Sequence, residues 1–281
     1  MRDLFVYWIA CVLSILTASA SHPLPAAGAE PGNETVPIVV LKEHGVGMPT
    51  LAQPYLDKFV ALAAQLNGWD DAKGRYFTSR STAEAFIKSE NPHYGILSLP
   101  AFLAFREKYH LDVIGQVAVT LVGGQEYHVV SKTARDLEQC KGKRLASDHI
   151  DDARFIERVV GAGHFTLADF TLVQTQRPLQ TLKYIIDGEA DCALIDEAQL
   201  AELSHLEGAD DVRSVWQRDE LPPMVVVAFP SASAEERNVF RERLSQVCDG
   251  PGKDACGEVG IVSLKLADSN EYAAVIAAYG K

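Results

Sequence analysis

From residue 36 onward, short apolar runs alternate with segments of helical period, and the scheme is run through twice. Residues 37–41 read as a strand, 51–66 as an amphipathic helix, 83–88 as a short helix and 95–97 as a strand. Residues 100–109 are helical again, and 113–122 form a β-rich run ending in Gly123-Gly124. Strand–helix–strand order does not close by a tight hairpin; it lays helices on the faces of a mostly parallel sheet. The second pass has strands at 127–131, 143–146, 172–174 and 192–195, with helices at 152–160 and 179–187. One more apolar strand, 224–229, enters through Pro222-Pro223. It leads to a helix at 234–247, a turn-rich loop from Cys248 to Cys256, and a C-terminal helix near 269–279. The expected architecture is α/β in two lobes, residues 36–122 with 228–281 making one and 127–222 the other. Two crossover segments, near 116–127 and 221–227, join them.

The N-terminus predicts where such a fold works. Arg2 makes a short basic start, residues 4–16 are apolar, and Ala18-Ser19-Ala20 supplies small residues for cleavage, so residues 1–20 read as an export signal. Residues 21–35, rich in Pro, Ala and Gly, read as a flexible lead-in. Ala27-Gly28-Ala29 is an alternative cleavage site, which keeps a signal anchor open, but the apolar run falls short of the roughly 20 residues of a membrane span. Cys11 lies inside the apolar run instead of after it, which argues against a lipoprotein signal. A periplasmic protein is expected.

Charge and cysteines narrow the partners. The net charge is -12, and removing residues 1–20 takes away one Arg and one Asp and leaves it unchanged. A surface this acidic, without a Lys/Arg cluster, repels nucleic acid and anionic lipid heads. In an oxidising compartment, Cys248 and Cys256, which bracket Asp249-Gly250-Pro251-Gly252-Lys253-Asp254-Ala255, are expected as a disulfide, with metal binding by the two thiols as the alternative. Cys140 and Cys192 read as a buried pair or a second bridge.

Three pieces then occur in order: Asp136-Leu137 with Lys141-Gly142-Lys143-Arg144-Leu145-Ala146, Gly188-Glu189-Ala190-Asp191-Cys192-Ala193, and Leu221-Pro222-Pro223-Met224-Val225-Val226-Val227. Each has a plain local explanation. Lys-Gly-Lys-Arg makes a tight turn before an apolar strand, and Asp187-Gly188 ends a helix in a left-handed cap. Together, and in this spacing, they resemble the phosphate/phosphonate-type binding proteins of ABC transporters. That resemblance implies the type 2 periplasmic-binding-protein fold from residue 37 to the C-terminus. It also implies a small-molecule ligand, an ABC-transporter permease or other inner-membrane partner, no cofactor, no nucleic acid, and a monomer.

The resemblance further implies an oxyanion site in a Ser/Thr-rich turn at a helix start, just after the Gly-Lys-Arg strand. Free backbone N–H groups and the positive helix end make that placement sensible. The corresponding stretch here is Ser147-Asp148-His149-Ile150-Asp151-Asp152-Ala153, and counting from Gly142 sets the hydroxyl positions near Asp151, Asp152 and Ala153. Carboxylates at those positions cap the helix themselves and repel a phosphate. A Gly-Ser-His common in the family is replaced by Gln174-Thr175-Gln176-Arg177-Pro178, with Arg177 a candidate substitute contact. Open α/β sheets bind ligands beyond the carboxyl ends of their strands. On that rule the candidate binding residues are Asp148, His149, Asp151 and Asp152 on the turn and Ser98, Thr175 and Asp196 at strand ends. The resemblance implies an aromatic cover for the ligand at Tyr127, beside Glu126 at the start of the second lobe, and at Phe102; His44 and Met48 in the first lobe complete the set.

The leading expectation is a cleft binder that closes two lobes on a ligand, phosphonate-like in family but altered in specificity. An apolar ligand, a lipid or sterol, is the alternative supported by Met48, Phe102 and Leu103, and a sensory module for a membrane receptor is a third. Catalysis has weaker support. His44, His93, His128, His149 and His164 are available, and His149 with Asp148, Asp151 and Asp152 suggests a metal or acid/base site, yet no His-x-x-x-His, Gly-x-Ser-x-Gly or Cys-His signature accompanies them. A protein without enzymatic activity is expected.

Overall fold

The computed structural model describes residues 35–43, 49–120 and 123–281. The export signal at 1–20, residues 21–34 of the lead-in, His44 and Met48 lie outside the described residues; Thr35 already belongs to the first strand.

The first pass along the chain builds β1 (Thr35–Leu41), α1 (Pro49–Asn67), β2 (Asp71–Phe77), α2 (Arg80–Glu90), β3 (Tyr94–Leu97), α3 (Leu99–Phe105) and β4 (Asp112–Val119). The second builds β5 (Tyr127–Ser131), β6 (Arg144–Ser147), α4 (Ala153–Phe155), β7 (Thr171–Gln174), α5 (Pro178–Ile186), β8 (Cys192–Asp196), α6 (Glu197–Leu203) and β9 (Arg213–Gln217). The chain ends with β10 (Met224–Ala228), α7 (Ala234–Arg243), α8 (Gly252–Glu258), β11 (Ile261–Leu266) and α9 (Ala273–Gly280).

These strands form two sheets. The six-stranded sheet has the order β11-β4-β10-β3-β1-β2 and the five-stranded sheet the order β7-β6-β8-β5-β9. β1 runs parallel to β2 and β3, while β10, which follows the second lobe in the chain, inserts antiparallel between β3 and β4. In the second sheet β6 is parallel to β7 and β8, and β5 is antiparallel to β8 and β9. Every residue of β3, β5, β8 and β10 is buried, as near-continuous apolar runs covered on both faces should be. The fold is thus mixed α/β in two lobes.

One apolar cluster continues from Leu41, Leu97 and Val225 in the first sheet to Tyr127, Val129 and Leu194 in the second. Helix α9 links the lobes as well. Just before it, the fully buried Tyr272 packs on Phe102 at 5.6 Å and donates its hydroxyl hydrogen to the Pro223 carbonyl at 3.3 Å. At its far end Arg158 Nη1 donates to the Tyr279 carbonyl at 3.3 Å, and the Arg154 guanidinium lies 4.6 Å from the Tyr279 ring centre. Both arginines belong to the helix that starts at α4 and continues as a π-helical segment, Ile156–Gly161.

Two disulfides close loops of different length. Cys248–Cys256 spans 8 positions and Cys140–Cys192 spans 52. The stretch between Cys248 and Cys256, expected as turns only, contains the start of α8: the turn Asp249-Gly250-Pro251 comes first, and Gly252 begins the helix. Pro251 sits just outside α8, where a missing N–H costs nothing.

Candidate ligand cleft

The carboxyl ends of β1, β3, β6 and β8 carry Lys42-Glu43, Ser98, Asp148-His149 and Asp196-Glu197 respectively. Arg80, the first residue of α2, joins them. Its Nε donates to Glu43 Oε1 at 2.7 Å and its Nη2 to Glu43 Oε2 at 2.9 Å. Its Nη1 donates to Asp152 Oδ2, on the other lobe, at 2.9 Å. Burial works against the guanidinium charge, but Glu43 and Asp152 outweigh it and hold the Arg80 pKa above its ordinary value. Ser98 starts α3, and its hydroxyl reaches Glu43 Oε2 at 3.4 Å.

Asp152 is the cap of α4: its Oδ1 accepts from the Phe155 N–H at 2.9 Å. The turn thus satisfies its own helix start with a carboxylate. Asp151 is exposed.

Behind the turn, the second lobe holds a buried polar network. Asp148 Oδ1 accepts from the Thr181 hydroxyl at 2.8 Å and from Gln199 Nε2 at 3.0 Å, and the Thr175 and Thr181 hydroxyls are 2.5 Å apart. Gln199 Oε1 meets His149 Nε2 at 2.8 Å and also takes the Asp196 N–H at 3.1 Å, so Nε2 is assigned as the protonated ring nitrogen. Ser147 supports the same turn, donating to the Leu194 carbonyl at 2.7 Å and accepting the His149 N–H at 3.1 Å. Tyr127 closes the network from above, its ring 5.3 Å from that of His149 and 5.9 Å from that of Phe155. Burial pushes its hydroxyl well above the ordinary tyrosine range, and the carboxylates of Asp196, Glu197, Glu43 and Asp148 push it further, so the phenol stays neutral.

The crossover after β4 is bound to α6. Glu197 accepts the N–H groups of Gly124, Gln125 and Glu126 at 3.0–3.2 Å, and Asp196 caps α6 through the Gln199 N–H at 2.9 Å. The two glycines allow this approach. A Cβ on Gly123 would stand 3.0 Å from Asp196 Oδ2, and Gly124 has φ +83°, a backbone that L side chains rarely adopt. Lys42 faces Asp196 and Glu197 from the other lobe; burial lowers its pKa, against the pull of those two carboxylates.

The expected site residues therefore divide. Ser98, Tyr127, Asp148, His149, Asp152 and Asp196 gather at the strand ends, with Glu126 on the crossover. Asp148 and Thr175 bond to helices of their own lobe. Phe102 is fully enclosed in the core against Tyr272 and lines no cleft, because α3 turns that face onto the first sheet. Arg177 starts α5 on an exposed face. Among the described residues, no group of three or more His, Cys, Asp or Glu side chains is arranged to hold a metal ion. Sequence reasoning missed Lys42, Glu43, Arg80, Glu197 and Gln199. For Lys42-Glu43 a signal was present, since they directly follow an apolar strand. Arg80 had none, because its partner lies 72 positions away.

No protein-family model matches the chain, and no curated protein sequence does. Solved structures do match. XAC2383 from Xanthomonas citri, bound to chloride ion, superposes with a TM-score of 0.69 at 10% identity, over 88% of this chain and 96% of that one. The methylphosphonate complex of PhnD1 from Prochlorococcus marinus gives 0.62 at 10% identity, over 86% and 96%. A binding-protein component of an ABC phosphonate transporter from Pseudomonas aeruginosa gives 0.62 at 11%, over 84% and 82%. The fold is that of the type 2 periplasmic binding proteins, phosphonate-binding members included. At such identities the likeness is one of fold, and function has to be argued from the site.

Proposed function

We propose that this chain is an extracytoplasmic solute-binding protein without catalytic activity, exported through its N-terminal segment, that closes its two lobes on a small ligand and presents it to an inner-membrane transporter. Its ligand is neutral or cationic, not a phosphonate dianion. Support for the binding role comes from the fold shared with transporter binding proteins and from polar side chains converging at the strand ends of both lobes. Among the described residues, no helix is long and apolar enough to cross a membrane.

The observation that carries the ligand class is the Asp152 carboxylate. It occupies the helix start that would otherwise offer N–H groups to an anion, and Glu43, Asp148, Asp196 and Glu197 surround the same strand ends against Lys42 and Arg80. Like charges in a partly desolvated site disfavour one another, so a dianion meets both lost donors and repulsion. The core position of Phe102 removes one support for an apolar ligand. Calorimetry with phosphate, methylphosphonate and 2-aminoethylphosphonate tests this directly. No heat from these three, with binding of a neutral or cationic solute, is expected; tight binding of any of them overturns the ligand class.

A further inference from the structure

We infer that Arg80 is a clasp built into the chain, which draws the two lobes together by carrying a cation from the first lobe to a carboxylate of the second. The inference rests on the lobe-closing role proposed above and adds a source of closing energy that belongs to the protein itself.

The geometry leaves Arg80 little freedom. Two parallel hydrogen bonds to Glu43 fix the plane of the guanidinium against its own lobe. The remaining edge points across to Asp152 Oδ2. Asp152 is equally constrained, because its other oxygen is held by the Phe155 N–H. Both partners are thus preorganised, and little side-chain entropy is lost when they meet. The Arg80, Glu43 and Asp152 side chains are 28%, 5% and 9% exposed. An ion pair so enclosed is screened less by salt than a surface pair, and removing one partner alone leaves a desolvated charge uncompensated.

The clasp stands beside a second cross-lobe contact. Arg154, two residues beyond Asp152, lies over the Tyr279 ring of α9, and Arg158 holds the Tyr279 carbonyl. Burial, followed by the neighbouring Asp152 charge, raises the Tyr279 hydroxyl above its ordinary range, so that phenol stays neutral. Closure then has a contribution from the chain, to which a ligand adds its own differential affinity.

Small-angle scattering of the purified chain, without added ligand, reads the clasp. Arg80→Gln and Asp152→Asn each remove the cross-lobe pair, and asparagine caps a helix as well as aspartate, so the second variant keeps the start of α4 intact. Both are expected to shift the radius of gyration upward and broaden the distance distribution relative to the unaltered chain. Arg80→Lys is expected to fall between, since an ammonium lacks the fork that serves both carboxylates. Raising salt from about 0.05 to about 0.5 M should move the unaltered chain far less than either substitution does, because the pair is enclosed. Identical scattering from the unaltered chain and Asp152→Asn at low salt, with cooperative melting retained, overturns the clasp. The readout needs no ligand, so its failure leaves the calorimetric test of solute binding standing, and the reverse also holds.

Discussion

The Glu197 carboxylate holds the backbone of Gln125: Oε1 accepts the Gln125 N–H at 3.0 Å, while Oε2 takes the flanking N–H groups of Gly124 and Glu126. This pins the crossover between lobes to the first turn of α6. Glu197→Ala should therefore leave three backbone donors to water or unpaired, at a cost of about 1–3 kcal/mol for a buried donor left unmet. Denaturant unfolding measures the loss, and faster hydrogen exchange at 124–126 than elsewhere locates it.

Burial raises the Glu197 pKa, against the lowering effect of its backbone donors. The native state then binds this proton more tightly than the unfolded chain does. Its contribution is fully present below the ordinary glutamate value and is lost as pH rises through the native one. Glu197→Gln should flatten that part of the stability curve just above about pH 4.3. A variant curve parallel to that of the unaltered chain would contradict the assignment.

His128 on β5 has the opposite sign. Burial lowers its pKa below 6.5, outweighing Glu126 and Asp196, which raise it. Its Nδ1 lies 3.2 Å from the Ser214 hydroxyl, and Nε2, 3.7 Å from Glu126 Oε2, has no hydrogen-bond partner among the described residues. The unfolded chain takes up this proton first, so the contribution is present above 6.5 and lost as pH falls through the native value. Unfolding midpoints compared at about pH 7.5 and about pH 5.5 should fall further in the unaltered chain than in His128→Gln.

The two disulfides should differ in worth. Chain-entropy estimates give roughly 2–3 kcal/mol for the short Cys248–Cys256 loop and about 4 kcal/mol for the longer Cys140–Cys192 loop. Non-reducing mass spectrometry should find each pair joined. Paired Cys→Ser variants should rank in that order on denaturant unfolding, with Cys140 and Cys192 the costlier loss.

Most of the central elements were legible because they are buried on both faces. β3, β5, β8 and β10 read as apolar runs, and α1 and α5 as helical periods. Three strands escaped, and all three stand at sheet edges: β2, β9 and β11. In β2 only Gly74 is buried, and in β9 no residue is, so neither carries an apolar run. Helix α6 escaped for another reason. Its cap Asp196 completes a strand read as apolar, and Gln199, which closes the capping box, is drawn inward to Asp148 and His149 by contacts 50 or more positions away in sequence. At the site, the acidic turn was visible as a departure from a familiar pattern. What that turn pairs with was not, because Arg80 reaches Asp152 only when the lobes are folded against each other.

That pairing determines how the ligand preference should change on substitution. In Asp152→Ser the serine hydroxyl still caps α4, but the carboxylate is gone and one edge of the Arg80 guanidinium is released toward the turn. The site then offers a fixed cation where it had an ion pair. Removing one like charge and restoring one donor are each worth on the order of 1–3 kcal/mol in a partly desolvated site, so methylphosphonate affinity should rise at least about tenfold. Asp151→Ser should change less, since Asp151 is exposed whereas Asp152 is buried against Arg80. Combining Asp152→Ser with Arg80→Gln separates the two contributions: a gain that vanishes in the double variant belongs to the released guanidinium, and a gain that persists belongs to the lost repulsion alone. Calorimetry with methylphosphonate on the four proteins reads all of this. Equal, undetectable heat from the unaltered chain and Asp152→Ser would mean that the turn does not face the ligand, and the case for an altered anion site would fall with it.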